Sequence, residues 1–418
     1  MTDPRGRAIP GNRWDLLDGM QPAVPPTVSV IVAHYRQPEQ LARTLHALRR
    51  QDHPQDRLQV IVADDGSPDA PTVPEGVLLV RQDDEGFRLA AARNLGAAAA
   101  TGEMIVFLDA DTTPEPTFIS ELVRLPALAP DCVTVGRRRH AHLTGLAASD
   151  DIERVAPERE LASPAWLAEA YRASRNLLDA DDRSYRYVIG AVLACSRQLL
   201  DDVGGFDESF TAYGGEDWEW AYRAWIHGAI LAHVPTAVAW HDGPDFAGRE
   251  DAELDDKNAE AIRLSDLIPV PGSRGRGLRS GKIDIAVTGP PEPATRAQIF
   301  VSTDSVLAAL SGAEVVGGAD EPDRLDRVRL WVEILRPLIV TPESLAAQVV
   351  RVESERLGEL LLVDDNGVEL LRIVSARARE RNSRWSRHDL FPVARATSAG
   401  VRRLPDDVDV EAYLGGWA

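Results

Sequence analysis

The strongest constraint on this chain is the rhythm of its first quarter, where short, β-branched apolar runs alternate with helical patterns. Thr27 to Ala33, Leu58 to Ala63, Val77 to Val80 and Met104 to Leu108 have the composition of strands buried on both faces. Pro38 to Gln51 and the Ala-rich stretch Arg88 to Ala100 read as the intervening helices. Strands and helices alternating at this spacing predict an α/β fold, with a mostly parallel sheet carrying helices on both faces.

Open sheets of this kind bind ligands beyond the carboxyl ends of their strands, so the residues just after each strand carry the chemical information. They are His34, Tyr35 and Arg36, then Asp64, Asp65, Gly66 and Ser67, then Asp109, Ala110 and Asp111. Asp109-Ala110-Asp111 can supply hard oxygen ligands for Mg²⁺ or Mn²⁺ against a diphosphate, or it can simply cap a strand-end turn. Asp64-Asp65-Gly66-Ser67 fits either an Asx-type turn or a pair of carboxylates facing a base or ribose.

Composition narrows the functional classes. With 46 Lys+Arg against 66 Asp+Glu, the net charge is −20, which argues against nonspecific capture of nucleic acid. Cys132 and Cys195 are isolated and lie in apolar runs, so they form neither a disulfide framework nor a zinc site, and a reducing cytosol fits. The amino terminus lacks the pattern of a signal peptide, and no apolar run approaches the ~18 residues that span a bilayer. Arg137, Arg138 and Arg139 form the densest cationic cluster. It reads first as a solvated loop, and second as a contact for a lipid-bearing acceptor at the inner face of the membrane.

At a typical ~100 to 200 residues per domain, 418 residues suggest two or three domains. An irregular arm, 1–26, ends in Pro22, Pro25 and Pro26; a catalytic-size α/β domain is expected over 27–268; and the Pro/Gly/Arg-rich run 269–281 reads as a linker. Residues 282–418 read as a smaller α/β accessory domain, with apolar segments at Ile283 to Val287, Ala297 to Val301 and Leu360 to Val363 and a hairpin-like turn at 365–367. Arg137 to Arg183 is polar and irregular apart from an amphipathic segment, Pro164 to Leu178, and fits an acceptor-side insertion.

Taken in order, TVSVIVAHYRQPEQLARTLHAL, VIVADDGS and EGFRLAAARNLGAAAATGEMIVFLDADTTP resemble the amino-terminal half of family 2 glycosyltransferases with a GT-A fold, a likeness running from Val28 to Asp242. It implies that Arg93 and Asn94 lie near a nucleotide. Arg88, within GFRLAAARN, is similar to the chondroitin-polymerase-like branch and is implied to face the nucleotide or its diphosphate. Downstream, FDESFTAYGGEDWEWAYRA resembles an acceptor-side signature shared by galactosyl- and N-acetylgalactosaminyl-transferases. By that likeness Gly214 and Gly215 let backbone approach a sugar, Asp217 is the base, Glu216 binds sugar hydroxyls, and Trp218 or Trp220 touches the acceptor. A histidine at His241 is implied to complete a metal site with Asp109 and Asp111.

The resulting expectation is an inverting, metal-dependent transfer of a hexose or N-acetylhexosamine from a UDP-sugar to a hydroxyl of a glycan, glycolipid or small-molecule acceptor, with Mn²⁺ or Mg²⁺ as cofactor. Two competitors remain. A nucleotidyltransferase would open with a Gly-rich basic loop, which AHYRQPEQ lacks. A non-catalytic nucleotide-sugar-binding scaffold would keep the uridine side and lose the base or the metal ligands.

Overall fold

The computed structural model describes residues 6–212, 214–244, 254–278, 280–317 and 322–416. The chain folds into two units. One runs to Trp225 and resumes over Ala229–Ile262; the other takes Ile226–Gly228 and Arg263–Ala418.

The first unit is built on a nine-stranded sheet. Its strands are β1 (Val28–His34), β2 (Leu58–Asp64), β3 (Val77–Arg81), β4 (Met104–Asp109), β5 (Thr112–Pro114), β6 (Cys132–Ala141), β7 (Glu160–Leu161), β8 (Val192–Ser196) and β9 (Ile230–Asp242). They lie in the order β3-β2-β1-β4-β8-β6-β9-β5, with β7 added to β6. The sheet is parallel across β3, β2, β1 and β4; β8 and β5 then run antiparallel to their neighbours, while β6 and β9 are parallel to each other. Every residue of β1 is buried, as its mostly apolar, β-branched run requires of a central strand.

Register fixes the functional edge. His34 pairs with Asp64 and Ala33 with Asp109, so the carboxyl ends of β1, β2 and β4 finish side by side. Across the sheet, Thr112 pairs with His241, which sets that histidine beside the Asp-Ala-Asp triplet.

Two segments differ from the sequence reading. Arg137, Arg138 and Arg139 are not a solvated loop: they continue β6, in parallel register with β9. Arg139 pairs with Glu160 and stacks 4.0 Å over Trp240. The expected short strand ending at His241 is the end of a 13-residue strand. The amino-terminal arm is stitched to this unit: Asn12 donates to the carbonyls of Leu177 (2.6 Å) and Leu231 (3.0 Å), and its own oxygen accepts from Leu231 N–H.

The second unit holds β10 (Ile285–Thr288), β11 (Ala313–Val315), β12 (Leu330–Ile334), β13 (Leu338–Val340), β14 (Glu359–Val363), β15 (Glu369–Ser375), β16 (Val393–Thr397) and β17 (Val401–Arg403). Six of these form one sheet in the order β11-β10-β12-β15-β14-β16, and β13 pairs with β17. The turn at 365–367 joins β14 to β15 as an antiparallel hairpin. Ala297 to Val301 lies within the helix Arg296–Ala309, started by a reciprocal capping box between Thr295 and Gln298.

Candidate active site

The ends of β1 and β2 are held together by Asp64. This buried carboxylate accepts from His34 Nδ1 (2.7 Å), Ser67 N–H (3.0 Å), the Ser67 hydroxyl (2.6 Å) and Arg81 Nε (2.9 Å). His34 Nε2 accepts the backbone N–H of Gln37, which places the ring proton on Nδ1. Burial alone would raise the Asp64 pKa; the bonds from Ser67, His34 and Arg81 overcome it and hold the group below the usual carboxylate range. Expected as ligand contacts, His34 and Asp64 instead spend their polar atoms on each other and on the loop behind them. These bonds shape the strand end.

Asp65 is buried, which pushes its pKa up, and it accepts from Arg88 N–H (2.9 Å) and the Gln82 side-chain amide. Tyr35 and Arg36 are the exposed groups on this side, the guanidinium lying 4.7 Å from the ring centroid. The Arg88 guanidinium pairs with Glu85 and approaches Glu208 (3.8 Å). Asn94 is committed elsewhere: its amide grips the backbone of Phe206 on both sides (2.8 and 2.9 Å) and also reaches Glu208. The residue expected beside a nucleotide is thus a clamp on the loop that leads towards Gly214.

Arg93 joins the two halves of the site. It is 2% exposed, on the helix Leu89–Ala99, and donates to Asp109 Oδ1 (2.9 Å) with one nitrogen and to Glu216 Oε1 (2.7 Å) with the other. The guanidinium lies over the Phe206 ring and against Gly190, where a Cβ would sit 2.8 Å from Nη1. Its bond to Glu216 spans 123 positions of the chain. Removing Arg93 would leave carboxylates without a counter-charge in a largely buried setting, typically a loss of ~3–5 kcal/mol.

Asp111 and His241 face each other. His241 Nδ1 donates to the carbonyl of Gly243 (3.2 Å), so in the neutral ring Nε2 carries the lone pair. That lone pair looks at Asp111 Oδ2 across 3.6 Å, and Asp111 also accepts from Gln37 (3.1 Å) and the Thr112 hydroxyl (3.2 Å). Two acceptors facing one another is the arrangement a divalent cation bridges. Asp109, expected as a third ligand, spends Oδ1 on Arg93. Among the described residues no group of three or more His, Cys, Asp or Glu side chains forms a metal cluster, so a cation at Asp111 and His241 would draw its remaining ligands from water and a diphosphate.

The helix Glu216–Ile226 supplies the opposite wall. Asp217 accepts from Gly190 N–H (2.9 Å) and Trp218 N–H (2.8 Å). Burial, then the neighbouring Glu216 carboxylate, push its pKa up to about 7 despite those two bonds and the Arg93 charge. Glu216 is 5% exposed, and its Oε2 is buried with no hydrogen-bond partner among the described residues. Gly214, at φ +95°, lies under Glu260, whose carboxylate is 3.0 Å from the point a Cβ would occupy. Glu260 belongs to the helix Leu254–Leu267, and its pKa is raised by burial and by Glu216. Sequence reasoning missed it, because one acid in a polar helix far from any motif carries no signal.

Of the two tryptophans expected at an acceptor, Trp220 is excluded. It is completely buried, donates to the carbonyl of Gly204 (2.9 Å) and packs on Phe206. Trp218 is only partly buried and sits edge-on to Tyr185 and to Trp166.

A strand-end carboxylate is thus linked through one arginine to a glutamate-aspartate pair at a helix start. The model of glycosyl transferase family 2 matches residues 29–167, and that of the N-terminal domain of galactosyltransferase matches residues 178–239. Over residues 29–167 the chain is thus similar to glycosyltransferase family 2. It is 30% identical over 265 residues to chondroitin synthase of Escherichia coli, covering 58% of this chain and 38% of that protein. It is 32% identical over 225 residues to validoxylamine A glucosyltransferase of Streptomyces hygroscopicus subsp. limoneus, covering 49% of each. Among solved structures it matches mannosyltransferase PcManGT from Pyrobaculum calidifontis in complex with GDP-Man and Mn²⁺, at 23% identity and a TM-score of 0.41, over 59% of this chain and 63% of that one. The chain spans less than half the length of the two curated relatives. No helix among the described residues is long and apolar enough to cross a membrane.

Proposed function

We propose that this protein transfers a hexose or N-acetylhexosamine from a UDP-sugar to an acceptor hydroxyl with inversion at the anomeric carbon. The observation that carries the reading is the Arg93 bridge, which ties Asp109 on the sheet edge to Glu216 beside Asp217. Donor-side and acceptor-side groups thereby share one site.

The exposed Tyr35 and Arg36 offer a surface for the uracil end, with Asp65 behind them. Asp111 and His241 would hold Mn²⁺ or Mg²⁺. When bound, the cation neutralises charge on the departing diphosphate. Glu216, oriented by Arg93, keeps Oε2 for a sugar hydroxyl, and Asp217 stands ready for the acceptor. The acceptor oxygen attacks the anomeric carbon as its proton passes to Asp217 and the bond to UDP breaks, so one bond forms, one breaks and the proton ends on a carboxylate. A pKa near 7 suits that base, because it is substantially ionised at neutral pH yet basic enough to take the proton. The acceptor classes are glycans, glycolipids and small hydroxylated metabolites, met in the cytoplasm or at the inner face of the membrane.

Purified full chain incubated with UDP-glucose, UDP-galactose and their N-acetylhexosamine counterparts, with Mn²⁺ and a panel of glycan acceptors, tests this by UDP release and product mass. Release that depends on donor, acceptor and metal is expected. Tight donor binding without any release, across the panel, would favour a binding scaffold and overturn the proposal.

A further inference from the structure

The described part of the site holds an aromatic surface that the mechanism above leaves unused. Trp166 opens the helix Ala165–Ala173, in the insertion between β7 and β8, and is 48% exposed. Its ring centroid lies 6.5 Å from that of Trp218 at 74°, and 6.3 Å from that of Tyr187 at 41°. Both neighbours are fixed to the catalytic wall. Trp218 donates its N–H to Asp217 and is braced edge-on by the buried Tyr185, itself packed on Tyr222. The carbonyl of Tyr187 accepts from the Tyr171 hydroxyl (2.6 Å), and three residues on, Gly190 N–H holds Asp217. The exposed indole is therefore carried by a braced frame and does not hang on a loose loop.

An indole left half in water forgoes the gain from burying its area, and a flat aromatic face next to a sugar-transfer site matches the apolar C–H face of a pyranose. Trp218, adjoining the base, is placed for the sugar whose hydroxyl reacts. Trp166 packs edge-on against Trp218 at 6.5 Å, so with the reacting sugar on Trp218 an indole at this spacing suits the next sugar of a chain. Resting on the transferase reading above, we propose that Trp166, with Tyr187, forms a second acceptor subsite, and that the acceptor is a glycan of at least two sugars rather than a single sugar or a small aglycone. Stacking is tolerant of stereochemistry, so this subsite selects for length while Glu216 and Glu260 read hydroxyl positions.

The test compares acceptors as methyl glycosides, which carry no aromatic aglycone: hexoses, N-acetylhexosamines and uronic acids, each against its β-linked disaccharide and tetrasaccharide. KM is measured with Mn²⁺ and the active UDP-sugar for the native chain, Trp166→Ala and Trp166→Phe. The native enzyme is expected to prefer the disaccharide over the monosaccharide by about tenfold in KM, equivalent to about 1.4 kcal/mol. Trp166→Ala should erase that ratio and Trp166→Phe should restore most of it. Equal KM for one and two sugars in the native enzyme, or a ratio that survives Trp166→Ala, overturns the subsite. Should the alanine variant fail to fold, the native chain labelled with 5-fluorotryptophan decides: the Trp166 resonance, assigned through Trp166→Phe, must shift with disaccharide and stay put with monosaccharide. Failure of the transferase reading itself would show differently, as no UDP release from any donor by the native chain.

Discussion

Replacing Asp217 with Asn should do two opposite things to this protein, and the structure sets the size of each. Asp217 is the proposed base, and removing a general base costs ~10²–10⁴-fold in turnover. The same substitution should make the fold more stable at high pH. The folded state holds this carboxyl at about 7, against a usual 3.8, so it keeps its proton where the unfolded chain has lost it. Stability contributed by that proton is complete below about pH 4 and drains away as pH rises to about 7, a total of about 4 kcal/mol before solvent at the partly exposed carboxyl trims it. Asn does not ionise and escapes that loss. It gives up some of it, because its amide NH₂ must face one of the two N–H groups, of Gly190 or Trp218, that the carboxylate now accepts from; a mismatched donor costs ~1–3 kcal/mol. The net expectation is a gain of ~1–3 kcal/mol at pH 8, which for a domain of this size is a few degrees in Tm, and a net loss at pH 4. UDP release at saturating substrates and thermal melts at pH 4, 6 and 8 read both effects. Turnover within tenfold of the native enzyme, or a Tm difference that is the same at every pH, would refute the assignment of Asp217 as a base with a raised pKa.

The other expectations are shorter. In the native enzyme kcat/KM should rise with pH up to about 7 and then level, since the ionised form of Asp217 is the active one; a flat profile from pH 5 to 8 would count against it. His241→Ala should weaken UDP-sugar binding by about tenfold or more when Mn²⁺ is present and little in EDTA, read by calorimetry, and an unchanged metal response would remove His241 from the metal site. Arg93→Lys, although it keeps the charge, should lose ~3 kcal/mol or more of stability in urea unfolding, because one ammonium cannot span Asp109 and Glu216 as the planar guanidinium does. Trp220→Ala should destabilise by ~3–5 kcal/mol as a core cavity, whereas Trp218→Ala should chiefly raise the acceptor KM.

The sequence alone determined the amino-terminal sheet and the places where its chemistry emerges. Both were legible because buried parallel strands are written as continuous apolar runs, and the ligand edge follows directly from where those runs stop. Asp109 and Asp111 stood out by their position after a strand, whereas Glu216, Asp217 and His241 were singled out by the resemblance to family 2 glycosyltransferases. Tertiary structure decided which of these residues meet. Nothing in the local pattern says that Arg93 will span Asp109 and Glu216, that Asp64 and His34 will exhaust their hydrogen bonds on the loop behind them, or that Asn94 will grip Phe206. The Arg93–Glu216 and Asn94–Phe206 contacts cross more than a hundred residues, and the Asp64–His34 pair follows from the neighbouring strands that carry them. The same limit separated Trp218 from Trp220, two positions apart on one helix: their composition is identical, and only the packing of Phe206 and the carbonyl of Gly204 buries one and leaves the other at the site. Glu260 and Trp166 stayed silent for that reason. Their significance comes from what lies opposite them in space, and a linear pattern encodes burial and turn chemistry far better than it encodes who the distant neighbours will be.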